Sequence, residues 1–184
     1  MDRYEFNGTF LRLEDEELQL SLQEDFVPLL IPANPIVGEQ LQGHIIKMDL
    51  GGGQYLEKDG KRHGQALLLY ADGSKKMECF YLDGNLHGPS SFFSEKGALL
   101  SKSWFWHGKQ EGKCFWYYPS GQVYSIQRYR EGQWHLLQEY FWESGQVKSC
   151  IPYKNGKLEG EVRLYDAKGK LERSIHFKNG QKIQ

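Results

Sequence analysis

Long hydrophobic runs are missing from this chain of 184 residues. No stretch approaches the ~18 consecutive apolar residues of a membrane-spanning helix. The opening Met1-Asp2-Arg3-Tyr4-Glu5 also lacks the charged segment followed by an apolar segment that marks a secretory signal. A cytoplasmic location is the expectation, with secretion by a route that reads no cleaved signal left open. Cysteine is scarce: Cys79, Cys114 and Cys150 form no CxxC pair, which points to reduced, structural thiols rather than a disulfide framework. Charge of one sign is also absent. With 23 basic and 24 acidic residues the net charge is −1, so no field exists to gather nucleic acid or an anionic membrane.

Signatures of catalysis are equally thin. There is no GxSxG elbow, and the Gly51-Gly52-Gly53 run is not followed by the Gly-Lys-Ser/Thr of a phosphate loop. Histidine offers one metal-like pattern, because His63, His87 and His135 share a position in a repeating unit. Successive units of two strands stand ~9.5 Å apart, whereas the ligands of one zinc ion lie ~2 Å from the metal. A shared ion along that column is therefore excluded. No catalytic, cofactor-binding or metal-binding residue is expected.

Glycine is what the chain has in surplus. Of its 21 glycines, most fall into three columns of a 24-residue repeat that runs unbroken from residue 60 to the C-terminus. Lead glycines are Gly60, Gly84, Gly108, Gly132, Gly156 and Gly180; mid-repeat glycines are Gly73, Gly97, Gly121, Gly145 and Gly169. A third column reads Gly64, Gly88, Gly112, Leu136, Gly160. A glycine that never leaves its column implies a turn with positive φ. Two turns per unit leave segments of about six or seven residues, the usual length of a strand. Asp59-Gly60, Asp83-Gly84, Asn155-Gly156 and Asn179-Gly180 carry the dipeptides of tight hairpins. No segment between glycines reaches the ~12 residues of an ordinary helix. The fold class expected is all-β, an elongated antiparallel meander of stacked hairpins, with ten strands spanning roughly 50 Å.

Two apolar columns are the core candidates: Tyr81, Phe105, Tyr129, Tyr153, Phe177, and Leu68, Phe92, Trp116, Tyr140, Leu164. Alternation along a strand then turns Phe93, Tyr117, Trp104 and Trp106 to the opposite face. Aromatic clusters on a sheet face mark interfaces, so these four are the candidate partner-binding residues. Covering of that face by the N-terminal segment is the competing reading.

Residues 1–37 are read as a cap, a hairpin plus a connector broken by Pro28, Pro32 and Pro35, with a short helix over residues 14–23 as the alternative. Residues 38–184 are read as the array. Within it, 38–57 form a degenerate unit, 58–177 hold five repeats, and 178–184 begin a truncated hairpin. Leu41-Gln42-Gly43 aligns with Leu86-His87-Gly88. In the fourth repeat Leu136 replaces a glycine and must change the turn or accept strained φ. Pro152 removes a backbone donor within a strand, which is tolerable only at an edge or a bulge.

The unit Asp83-Gly84-Asn85-Leu86-His87-Gly88, Phe92-Phe93, Lys96-Gly97, Phe105 resembles the MORN repeat, as does Lys154-Asn155-Gly156-Lys157-Leu158-Glu159-Gly160, Leu164-Tyr165, Lys168-Gly169, Phe177. It looks most like the bacterial variant of that repeat, over residues 58–184. The resemblance implies a twisted β array serving as a non-enzymatic scaffold that binds another protein, including a second copy of itself. Two alternatives come with it: a peripheral phospholipid-binding module, and an antitoxin-like neutralising partner of another protein. Nucleic acid is not an expected partner.

Overall fold

The computed structural model describes residues 29–183 in full and, before them, the backbone of three strands: β1 (Arg3–Phe6), β2 (Thr9–Glu14) and β3 (Glu17–Leu18). These three pair antiparallel in the order β1-β2-β3. The rest of the N-terminal cap, including most of the alternative helix over 14–23, lies outside the described residues. Among the described residues there is no helix, and none long and apolar enough to cross a membrane.

From Gln40 onward the chain is one antiparallel meander of 17 strands. It starts with β4 (Gln40–Leu41), β5 (His44–Met48), β6 (Gln54–Lys58) and β7 (Lys61–Leu69). It continues with β8 (Lys75–Leu82), β9 (Asn85–Phe93), β10 (Leu99–Trp106), β11 (Lys109–Gln110), β12 (Gly112–Tyr117) and β13 (Val123–Arg130). The last stretch holds β14 (Gln133–Trp134), β15 (Leu136–Phe141), β16 (Val147–Lys154), β17 (Lys157–Leu158), β18 (Gly160–Tyr165), β19 (Leu171–Lys178) and β20 (Gln181–Ile183). Each short piece such as β11 is the first half of a bulged strand, so β10 pairs with both β11 and β12. The sheet is open: β4 pairs with β5 and β20 with β19, and no register joins the two ends among the described residues.

The lead glycines sit in two-residue turns in which both central residues have positive φ, as at Asp83 (48°) and Gly84 (88°). That is the hairpin turn whose twist matches the strands. Each such turn also leans on the unit before it. The amides of Gly84, Gly108, Gly132, Gly156 and Gly180 donate to the carbonyls of Arg62, Leu86, Gln110, Trp134 and Leu158 at 2.7–2.9 Å. The adjoining turn amides find side chains: His107 N donates to His87 Nδ1, Glu131 N to Glu111 Oε2, Asn155 N to His135 Nδ1 and Asn179 N to Glu159 Oε2. Thus the His/Glu column is an acceptor column that locks each turn to its predecessor. Gly43 belongs to this turn class rather than to the third column, since Gln42 (48°) and Gly43 (78°) are the central pair between Leu41 and His44.

The third column forms a bulge. Gly64, Gly88, Gly112 and Gly160 all have positive φ, and each is paired across the ladder with an aromatic: Tyr81, Phe105, Tyr129 and Phe177. Glycine leaves room for that ring, while a Cβ on Gly64 would stand 3.1 Å from Leu56 Cδ1. Leu136 keeps the bulge by accepting φ of 61° opposite Tyr153. Holding a leucine there costs about 1 kcal/mol. Replacing it with glycine is expected to raise the urea midpoint by an equivalent of up to about 1 kcal/mol, less the extra unfolded-state entropy of glycine. A fall in the midpoint would mean that contact with Tyr153 outweighs the strain. Pro152 is tolerated because it faces the next bulge: its carbonyl accepts from Glu159 N at 3.0 Å, and the amide it lacks would have pointed at the bulged residues.

Burial departs from the expected core. Leu56 and Ile46 are fully buried under the connector, where Ile31 N donates to Gln65 Oε1 and Gln65 N to Leu29 O. Along the array several buried positions hold small residues, Ser90, Ser101, Cys114, Ser125 and Ser149, whereas Phe92 is 40% and Trp116 45% exposed. The register explains this. One row across the sheet reads Phe92, Ser101, Trp116, Ser125, Tyr140, Ser149, Leu164, so large and small residues alternate. Cross-strand neighbours in such a row set a large side chain beside a small one, so the serine positions are the ones that can be fully covered.

Candidate interaction surface

The four predicted partner-binding residues share one face. Trp104 pairs with Pro89, and Lys102, two residues earlier, pairs with Phe115. Phe115 stacks with Tyr117 at 6.4 Å, which carries Tyr117 to the same side. Lys102 Nζ stands 5.7 Å above the Trp104 ring and Lys75 Nζ 5.7 Å above Phe93. All four are half-buried. Trp106 is occupied at the turn, its ring 4.7 Å from His87 and 5.1 Å from His107.

The more accessible aromatics lie on the opposite face. Phe92, Trp116 and Tyr124 are 38–45% exposed. Tyr124 stands edge-on to Tyr118 and Tyr140 at 5.3 and 5.9 Å, and Tyr118 Oη ties its repeat to the next by donating to Phe141 O. This row was invisible as a surface in the sequence because its aromatic column looks like a core. The signal that could have exposed it is the serine column, Ser101, Ser125 and Ser149, which leaves the sheet too thin to cover both faces.

Chemistry is not concentrated anywhere along this surface. Burial pushes the thiols of Cys79 and Cys114 up to about 11, which makes them poor nucleophiles at neutral pH. A cleft of about 120 Å³ is lined by Asp49, Tyr55, Arg62, Met77 and Tyr81 among others, with the Arg62 guanidinium 4.4 Å above Tyr55 and 3.5 Å from Asp49. A second, shallow cleft is lined by Tyr129, Gln133, Trp134, Asn155 and Lys157. Neither brings a Ser or Cys beside a His.

Hairpins of fixed length, stacked turn on turn in an open meander, define a β-repeat array. Residues 110–131, 134–155 and 158–179 match the family model described as the MORN repeat variant, so this part of the array consists of three consecutive repeats of that variant. No curated protein matches it. Among solved structures, it is similar at 15% identity to the GtfA/B complex bound to UDP and GlcNAc, over 83% of this chain and 27% of that one, with a TM-score of 0.26. It is also similar at 15% identity to accessory secretory protein 1, 2 and 3 of Streptococcus pneumoniae, over 77% of this chain and 22% of that one, with a TM-score of 0.21. The chain therefore spans about a quarter of the length of these two.

Proposed function

We propose that this chain is a non-enzymatic scaffold that binds another protein through the exposed aromatic row of its sheet. The observation that carries the reading is the accessibility of Phe92 on β9, Trp116 on β12 and Tyr124 on β13. Tryptophan and tyrosine supply rigid contact area at little entropic cost, which is why they dominate binding hot spots. The face bearing Phe93, Trp104, Trp106 and Tyr117 is the second candidate surface, less accessible and partly engaged within the chain. Membrane lipid is the weaker reading, because three residues of the two basic pairs, Lys61-Arg62 and Lys75-Lys76, are already engaged within the chain. Arg62 contacts Tyr55, Tyr81 and Asp49, Lys75 contacts Glu78, and Lys76 lies over Tyr70.

The test is affinity capture from the native host with wild type, Trp116→Ala and Trp104→Ala in parallel, after circular dichroism shows all three folded. Trp116→Ala is expected to lose the partner at least tenfold while Trp104→Ala retains it. The reverse pattern moves the site to the other face. Undiminished capture by both variants rejects an aromatic docking surface.

A further inference from the structure

The short first unit brings together two histidines that the 24-residue lattice keeps in separate columns. His44 opens β5 and His63 lies in β7, on strands flanking β6. Their rings approach to 5.1 Å between centroids, with planes tilted by 56°. Each ring is held by its Nδ1. His44 Nδ1 lies 2.9 Å from the Gln42 carbonyl oxygen, and His63 Nδ1 lies 3.1 Å from Asp83 Oδ1. A carbonyl or an ionised carboxylate only accepts, so each ring donates from Nδ1, and in the neutral ring the lone pair is then on Nε2. His44 is only 8% exposed, and its Nε2 has no hydrogen-bond partner among the described residues. A buried imidazole nitrogen left bare in this way is costly unless something occupies its lone pair.

We infer that His44 and His63 form a two-imidazole site for a divalent transition ion of the zinc class. Three features support this. Two imidazoles bound through Nε2 to one tetrahedral zinc, with Zn–N of about 2.0–2.1 Å, place their ring centroids about 5 Å apart. The spacing observed is 5.1 Å. The partners on Nδ1, a backbone carbonyl and a carboxylate, are the outer groups that orient metal-bound histidines and raise their basicity. Asp83 also brings negative charge from the next tight turn to a site whose two ligands are neutral. No third His, Cys, Asp or Glu stands close enough to join them among the described residues. Water would complete the coordination shell. Imidazole ligation selects zinc, copper or nickel over magnesium, which prefers oxygen.

The site is independent of the aromatic row. The histidine column also looks different in this light: His87 and His135 accept turn amides through Nδ1, whereas His63 is the member paired with a carboxylate.

The experiment is titration of the full, untagged chain with zinc chloride against a competing chelator, together with thermal unfolding with and without zinc. One ion per chain is expected, with no response to magnesium. His44→Asn and His63→Asn keep an amide donor where Nδ1 stood and delete Nε2; each should weaken zinc binding at least tenfold and abolish the zinc-dependent rise in Tm. Asp83→Asn suits the positive φ at that turn and is expected to weaken binding about tenfold. His176→Ala, at an exposed position in β19, should bind as wild type does. Equal zinc affinity in wild type and His44→Asn, or a loss in His176→Ala as large as in His63→Asn, would overturn the assignment. If the folded His44→Asn and His63→Asn chains bind weakly but Asp83→Asn is unchanged, the role given to Asp83 is wrong.

Discussion

Gln138→Ala should destabilise the protein by about 3 kcal/mol, the largest effect expected of any single truncation in the fourth repeat. Gln138 has no exposed surface. Its Oε1 accepts from Arg128 N at 2.7 Å, while Nε2 donates to Arg128 O at 3.1 Å, His135 O at 3.0 Å and Leu136 O at 3.3 Å. The equivalent positions in the other repeats are Ala66, Ser90, Cys114 and Val162, none of which reaches so far. Gln138 therefore fastens the one bulge built on leucine, by joining both sides of the ladder where it opens. Alanine would leave both a cavity and several buried backbone groups to satisfy, and the two costs add. Urea denaturation measures the loss. A loss below about 1 kcal/mol would show that the leucine bulge holds without its amide. Val162→Ala, at the same place in a glycine bulge, removes packing alone and should cost about 1 kcal/mol less.

The contrast between these two positions shows how much of the molecule a reader of the sequence can reach. Glycine columns and Asp-Gly or Asn-Gly pairs are local signals, since positive φ is a property of a residue and its neighbour. The hairpins, the bulge strain at Leu136 and the tolerance of Pro152 could all be anticipated on that ground. Faces were harder. The alternation of a strand says that Phe92 and Phe93 point opposite ways, but not which side is covered; β3 of the N-terminal sheet comes against β12, a contact that no periodicity announces. Ser101, Ser125 and Ser149 look like solvent residues in sequence, yet are buried. Gln138 reads as a polar strand residue for the same reason. The pairing of His44 with His63 was hidden by length: the first unit is shorter than 24 residues, so His44 falls outside the columns that make the other contacts legible. Its neighbour in space is set by the ladder of β5, β6 and β7, which no periodicity reveals.

Acidification from pH 7 to 4.5 should remove about 2 to 3 kcal/mol of stability through His87 alone. The ring is 3% exposed and packed between Trp106 and His107, with centroids 4.7 and 4.8 Å away. Burial, and then the charge of His107, push its pKa down from 6.5 to about 4. Its Nδ1 accepts the His107 amide at 3.3 Å, which the neutral ring alone can do. In the unfolded chain the same imidazole titrates near 6.5, so between about pH 6.5 and 4 the unfolded state binds more protons than the folded one. Stability from this group is therefore complete above pH 6.5, declines as the pH falls through that window, and levels off below about 4. Other groups titrate there too, and the comparison that isolates His87 is with His87→Asn, whose amide oxygen stands in for Nδ1 as an acceptor without taking up a proton. The urea-derived stability of wild type minus that of the variant should fall by about 2 to 3 kcal/mol between pH 7 and 4.5. A difference that stays flat would mean that the turn opens to water before the ring is protonated, and that the stacking of turns at His107 is looser than the backbone hydrogen bond from Gly108 to Leu86 implies.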